Sequence, residues 1–210
     1  TSSVQAFSST QLAALSSTQL SAFDSSQIAA LSTSALKALS TTVLNGLDSD
    51  DIGALTSSQL AVLSTTQLQA LRTEQIEALS TAAIRALSAA QIRALSADQI
   101  EALTADQIKA LTTTELAAFD TADIQTLTTE QVSALSSTQL QALSTTQVQA
   151  LSTLQIQSLT SSQVQALTTK AVAALTSVQL AALTDEQLEA METADVRAFS
   201  TSQLAVLSAE

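Results

Sequence analysis

From Ser8 to Leu207 the chain repeats one eight-residue pattern twenty-five times without insertion or deletion: Ser/Thr, any, any, Gln, Leu/Ile/Val, any, Ala, Leu. Representative copies are Ser64-Thr65-Thr66-Gln67-Leu68-Gln69-Ala70-Leu71 and Ser144-Thr145-Thr146-Gln147-Val148-Gln149-Ala150-Leu151. This period constrains the fold more than any other feature. A continuous α-helix turns about 100° per residue, so eight residues advance it by about 800° and leave each unit rotated by about 80° from the last. The apolar stripe would then wind around the helix within about five units. Treated as a coiled coil, the octad gives about 4.0 residues per turn, too far from 3.6 for supercoiling to absorb. The chain therefore has to break once per octad.

The octad also shows where. Position 1 is Ser, Thr or Asp in 23 of 25 units, the exceptions being Arg72 and Glu192. These are the residues whose short side chains accept from the free N–H groups at a helix start. Position 4 is Gln or Glu in 18 units, and Ser/Thr-x-x-Gln is the capping box, in which two side chains satisfy each other's backbone donors. Charge placement supports the same frame: 16 of 19 acidic residues lie at positions 1 to 4, and five of seven bases (Lys37, Arg85, Arg93, Lys109 and Arg197) lie at position 6. A helix N-terminus favours anions and its C-terminus favours cations. The expected fold is all-α, a solenoid of very short capped helices, one per octad, with three or four helices per coil. Positions 5 and 8 are i, i+3 neighbours and form the core face. Position 7, Ala in 20 of 25 units, suits close approach of a neighbouring helix.

The competing fold is a β-solenoid. It needs corners built from Gly, Asn, Asp or Pro, and the chain has Gly46, Gly53, Asn45 and no Pro. Ala, Leu and Gln at fixed positions are helix formers, which favours the helical solution. A single unit buries too little to offset the entropy of ordering eight residues, so stability must come from stacking one coil on the next.

The array reads as one domain over residues 1–210, with 25 complete units at 8–207 and partial units at 1–7 and 208–210. Starting and stopping in mid-repeat, it reads as a segment of a longer array. With no His and no Cys it lacks the usual metal ligands, the thiol nucleophile and the commonest general base. No enzyme and no cofactor is expected. A net charge of −12 with seven scattered bases argues against nucleic acid as a partner. No apolar run approaches the ~20 residues that span a bilayer, so membrane insertion is not expected.

One stretch departs from the pattern. Thr42 to Gly53 holds both glycines, the single Asn and the acids Asp48, Asp50 and Asp51. Asp48-Ser49-Asp50 is similar to the start of an EF-hand loop, which makes Asp48, Asp50 and Asp51 candidates for surface Ca²⁺ binding, although the bidentate Glu is missing. The plainer reading is three acids decorating a helix start. Asp51, Asp123 and Asp195 recur 72 residues apart, each in a unit whose first residue is also acidic. Three helices per coil would bring such units onto one edge. A further candidate surface is Glu74, Glu77, Arg85, Arg93, Asp98, Glu101, Asp106 and Lys109, where signs alternate along the chain as on a solubilising face.

The tract Leu143-Ser144-Thr145-Thr146-Gln147-Val148-Gln149-Ala150-Leu151 resembles the octapeptide repeats of some very large bacterial surface or secreted proteins, adhesin-like in style. The resemblance implies an extracellular or cell-surface location and a structural role as stalk, spacer or filament. It carries no functional residues across. Self-association end to end or side by side is expected, with a cell-surface or matrix partner. The alternative is a solenoid binding scaffold that presents positions 3 and 6 to a protein, glycan or ice surface.

Overall fold

A computed structural model describes residues 2–207, so positions 208–210 of the last partial unit lie outside the described residues. The described residues form twenty-six helices of four to seven residues, α1 (Ser2–Gln5) to α26 (Thr201–Leu207), one per octad. No strand occurs among the described residues, so the β-solenoid is not adopted.

Each helix starts where the sequence puts it. Ser64, for example, has an extended backbone (φ −68°, ψ 159°), and its Oγ accepts from the Gln67 N–H at 3.1 Å while its own N–H donates to Gln67 Oε1 at 2.9 Å. Arg72 and Glu192 keep the extended cap geometry without a side-chain cap bond, and their N–H groups donate to Gln75 and Asp195. The corner takes two residues, position 8 and the cap that follows it. Leu143 (φ −62°, ψ 133°) and Ser144 (φ −68°, ψ 158°) are both extended, as are Leu79 and Ser80. Two consecutive extended residues between helices redirect the chain without glycine or proline.

The packing divides the array into two compact units, residues 1–111 and 112–210. Within the first unit, α3 (Ser17–Leu20), α6 (Thr41–Asn45), α9 (Thr65–Gln69) and α12 (Ala89–Ile92) stack in succession. The same holds for α4 (Ser25–Ala29), α7 (Ser49–Gly53), α10 (Thr73–Ala78) and α13 (Ala97–Glu101), and for α5 (Thr33–Ala38), α8 (Ser57–Leu60), α11 (Thr81–Ile84) and α14 (Ala105–Ala110). Each helix packs on the one three octads away, so a coil holds three helices and 24 residues. Within the second unit the columns follow the same step, as in α16 (Thr121–Thr126), α19 (Thr145–Ala150), α22 (Thr169–Ala174) and α25 (Thr193–Arg197).

The core is almost entirely aliphatic and comes mainly from positions 5 and 8, as expected: Leu68 is 0% and Leu71 3% exposed, and Ile156 and Leu159 repeat the pair in the second unit, with Phe119 and Phe199 as the aromatic members at position 8. The Ala at position 7 is mostly half-buried, lying against the adjacent coil. A Cβ added to Gly53 would meet the Ala78 carbonyl oxygen of α10 at 2.8 Å, which explains why glycine stands on α7 there. Gly46 has no positive φ either; an added Cβ would collide with Ser17 Cβ, so both glycines serve close approach between stacked helices. Across the complete octads positions 3 are exposed throughout, and positions 6 almost throughout.

Candidate functional site

The one chemically specific contact that recurs through the molecule is made by the position-4 glutamine. Its Oε1 completes the capping box within its own coil. Its Nε2 turns to the coil beneath and donates to a backbone carbonyl 28 residues earlier and to a second one 31 residues earlier, or 30 in Gln163 and Gln203. Gln99 Nε2 donates to Leu68 at 2.9 Å and Leu71 at 2.7 Å; Gln107 reaches Ile76 and Leu79 at 2.9 and 2.7 Å. In the second unit Gln155 reaches Ile124 and Leu127 at 2.9 and 2.6 Å, and Gln187 reaches Ile156 and Leu159 at 2.9 and 2.6 Å. These carbonyls are the free acceptors at a helix C-terminus, which otherwise cost free energy when buried. One side chain therefore caps the start of its own helix and the end of another, four octads back in the chain and in the coil below.

Burial of position 4 begins with the second coil. Gln11 and Gln19 are exposed and Gln27 is half-buried, whereas Gln59, Gln67 and Gln75 are 5% exposed or less. The capping-box motif accounts for the first partner of this residue and misses the second. A signal for the second is present in the sequence: a capping box accepts Glu as readily as Gln, yet Glu115 is the one Glu among the 18 such residues. That bias demands a donor as well as an acceptor.

The three calcium candidates are placed apart by function. Asp48 caps α7, accepting from the Asp51 N–H at 2.8 Å; Asp50 points to solvent; and Asp51 is buried at position 4. Among the described residues no group of three or more His, Cys, Asp or Glu is arranged to hold a metal ion. Asp51 accepts from Ser25 Oγ of the coil below at 3.3 Å. Burial, reinforced by the nearby Asp48 charge, pushes its carboxyl above the ordinary value of 3.8, and burial likewise raises Asp123. Asp123 and Asp195 lie in one column of the second unit, three coils apart, as the 72-residue recurrence anticipates for three-helix coils.

Asp51 takes the place of a donor, so Asp51→Gln should stabilise the first unit by about 1 kcal/mol at neutral pH, through Nε2 bonds to the Leu20 and Phe23 carbonyls 31 and 28 residues earlier. The raised carboxyl means that the protonated form is the one the fold prefers. Its stabilisation is complete below the ordinary pKa and is lost as pH rises through the raised one. The wild-type melting temperature should therefore gain from acidification from pH 7 toward pH 4, and Asp51→Gln should gain less. Equal acid gains in paired thermal melts would contradict this.

The surface has two open grooves of note. One, of about 460 Å³, is lined by Thr153, Gln157, Ser177, Val178, Ala181 and neighbours. The other, of about 340 Å³, is lined by Thr41, Thr42, Asn45 and Ala70. Neither gathers titratable groups. Leu154 and Val178, at position 3, stand 66% and 68% exposed. No helix among the described residues is long and apolar enough to cross a membrane.

No curated protein matches the chain. A family model described as the ALTTAQ repeat matches residues 1–33, 33–65, 81–113, 116–153, 137–169 and 146–177, windows of about four octads each. Those windows cover most of the array, so the chain belongs to the ALTTAQ repeat family.

Proposed function

We propose that the chain is a non-catalytic structural element, a stalk, spacer or filament segment of a bacterial extracellular or cell-surface assembly. The observation that carries this is the recurrence of one inter-coil contact, the Gln Nε2 clamp over a Leu/Ile/Val and Leu core, from coil to coil in each unit. A coil presents glutamine donors on one face and carbonyl acceptors with aliphatic side chains on the other. It can therefore receive a further coil from the same chain or from a second copy by the same chemistry. The octad's resemblance to repeat tracts of large bacterial surface and secreted proteins supports the location. The residues that line the two surface grooves include hydroxyl and amide side chains but no titratable group.

Electron microscopy of the purified protein tests the reading. Uniform rods or fibres are expected, growing in length with protein concentration. Discrete compact particles at every concentration would overturn it. A partner at the cell surface or in the matrix would contact positions 3 and 6, which are the exposed variable positions.

A further inference from the structure

The three-helix coil changes the meaning of the charges. Along the chain, acids and bases alternate between residues 72 and 109. A 24-residue coil sorts that alternation onto different columns of the first unit. The α4, α7, α10 and α13 column carries Asp50, Glu74, Glu77, Asp98 and Glu101 on its surface, all exposed, with Asp24 and Asp48 as exposed caps. Its single base, Arg72, is drawn back onto the coil below, where its guanidinium donates to the Asn45 and Leu47 carbonyls and pairs with Glu74 at 2.6 Å. The α5, α8, α11 and α14 column carries Lys37, Arg85 and Lys109, all exposed and all at position 6, against one acid, Asp106. The α3, α6, α9 and α12 column has Arg93 as its only charge.

From this segregation we infer that the first unit carries a self-complementary lateral interface, the basic column of one copy docking on the acidic column of a second copy. Register supports the match. Arg85 and Lys109 are one coil apart, as are Glu77 and Glu101, and Glu74 and Asp98, because the same 24-residue step sets both surfaces. Two copies lying side by side in parallel can thus pair at successive coils without adjustment. A cationic partner would satisfy the acidic column but leave the basic column unmatched, in a chain whose net charge is −12. A second copy uses both. The inference rests on the reading of the chain as a self-associating structural element and names the surfaces by which it bundles.

Exposed ion pairs are individually weak and salt-screened, so the association is expected at about 0.1 M salt and lost near 1 M, where the screening length is about 3 Å. Sedimentation of the full chain reads it directly. Lys37→Glu/Arg85→Glu/Lys109→Glu gives a copy with two acidic columns, and Asp50→Lys/Glu74→Lys/Glu77→Lys/Asp98→Lys/Glu101→Lys gives one with two basic columns. All eight positions are exposed, and circular dichroism verifies that each variant keeps its helices. Each variant alone should lose at least about tenfold in association constant, and an equimolar mixture should regain it. A mixture that stays dissociated, or variants that associate like the wild type, would overturn the lateral interface. Salt-resistant association untouched by the reversals would instead place the contact at the coil faces and leave the structural role standing. Absence of any association by the wild type would overturn both. Binding of a polylysine peptide with no self-association would assign the acidic column to a cationic partner and overturn the proposal.

Discussion

Leu140→Asp is expected to unfold its neighbourhood, costing about 4 kcal/mol or more, while Gln141→Asp one residue along changes stability by no more than about 0.5 kcal/mol. Leu140 is 0% exposed at position 5 of its octad, on α18 (Ser137–Ala142), whereas Gln141 at position 6 is exposed. The first substitution forces a carboxylate with no cation into an aliphatic core. It also removes the side chain that α18 packs between α15 (Thr113–Leu116) and α21 (Ser161–Ala166), the helices stacked on either side of it in the second unit. In a solenoid each coil meets only its neighbours, so the damage should be local. Amide hydrogen exchange is the decisive measurement: α15, α18 and α21 should lose protection in Leu140→Asp. Equal loss in Gln141→Asp would mean that inward and outward positions had been exchanged.

The contrast between Leu140 and Gln141 is legible in the amino-acid sequence, because burial of positions 5 and 8 follows from i, i+3 geometry. The eight-residue period is incommensurate with the helix turn, so one helix per octad follows from arithmetic, and Ser/Thr followed by Gln three residues later places each helix start to the residue. Coil size is different: the octad allows three helices or four, because the number depends on the angle turned at each corner. That angle is set by two extended residues, Leu at position 8 and the cap at position 1. Coil size in turn decides which distant residues become neighbours. The alternating charges from Glu74 to Lys109 resemble a mixed solvated face because their separation in the chain hides their sorting by column. The same separation conceals the second half of the glutamine's work, since the Leu68 and Leu71 carbonyls lie 31 and 28 residues from Gln99. Asp48, Asp50 and Asp51 form a cluster in sequence, and the helix that begins among them sends one to the cap, one to solvent and one inward.

Gln99→Glu separates the two jobs of the position-4 side chain. If that residue were only a cap, Glu would serve equally, because its carboxylate accepts the Ser96 N–H as Gln99 Oε1 does now at 3.0 Å. The structure requires more. Nε2 sits 2.9 and 2.7 Å from the Leu68 and Leu71 carbonyls, and a carboxylate oxygen in its place would set lone pairs and negative charge against two buried acceptors. Each buried carbonyl deprived of its donor costs about 1–3 kcal/mol. Gln99→Glu should therefore lose about 3 kcal/mol or more at neutral pH. Protonating the new carboxyl restores one O–H donor, so the folded state should raise its pKa above the ordinary value of about 4.3. By linkage, stability then recovers as pH falls through that raised value, and the deficit is largest where the group is ionised. Gln99→Met, of similar length but with neither donor nor acceptor, should lose about 2–4 kcal/mol with no comparable pH dependence. Chemical denaturation of the two variants at about pH 7 and pH 4.5 gives both numbers. A Glu variant as stable as wild type at neutral pH would reduce the glutamine to a cap and leave coil-to-coil cohesion to the aliphatic core alone.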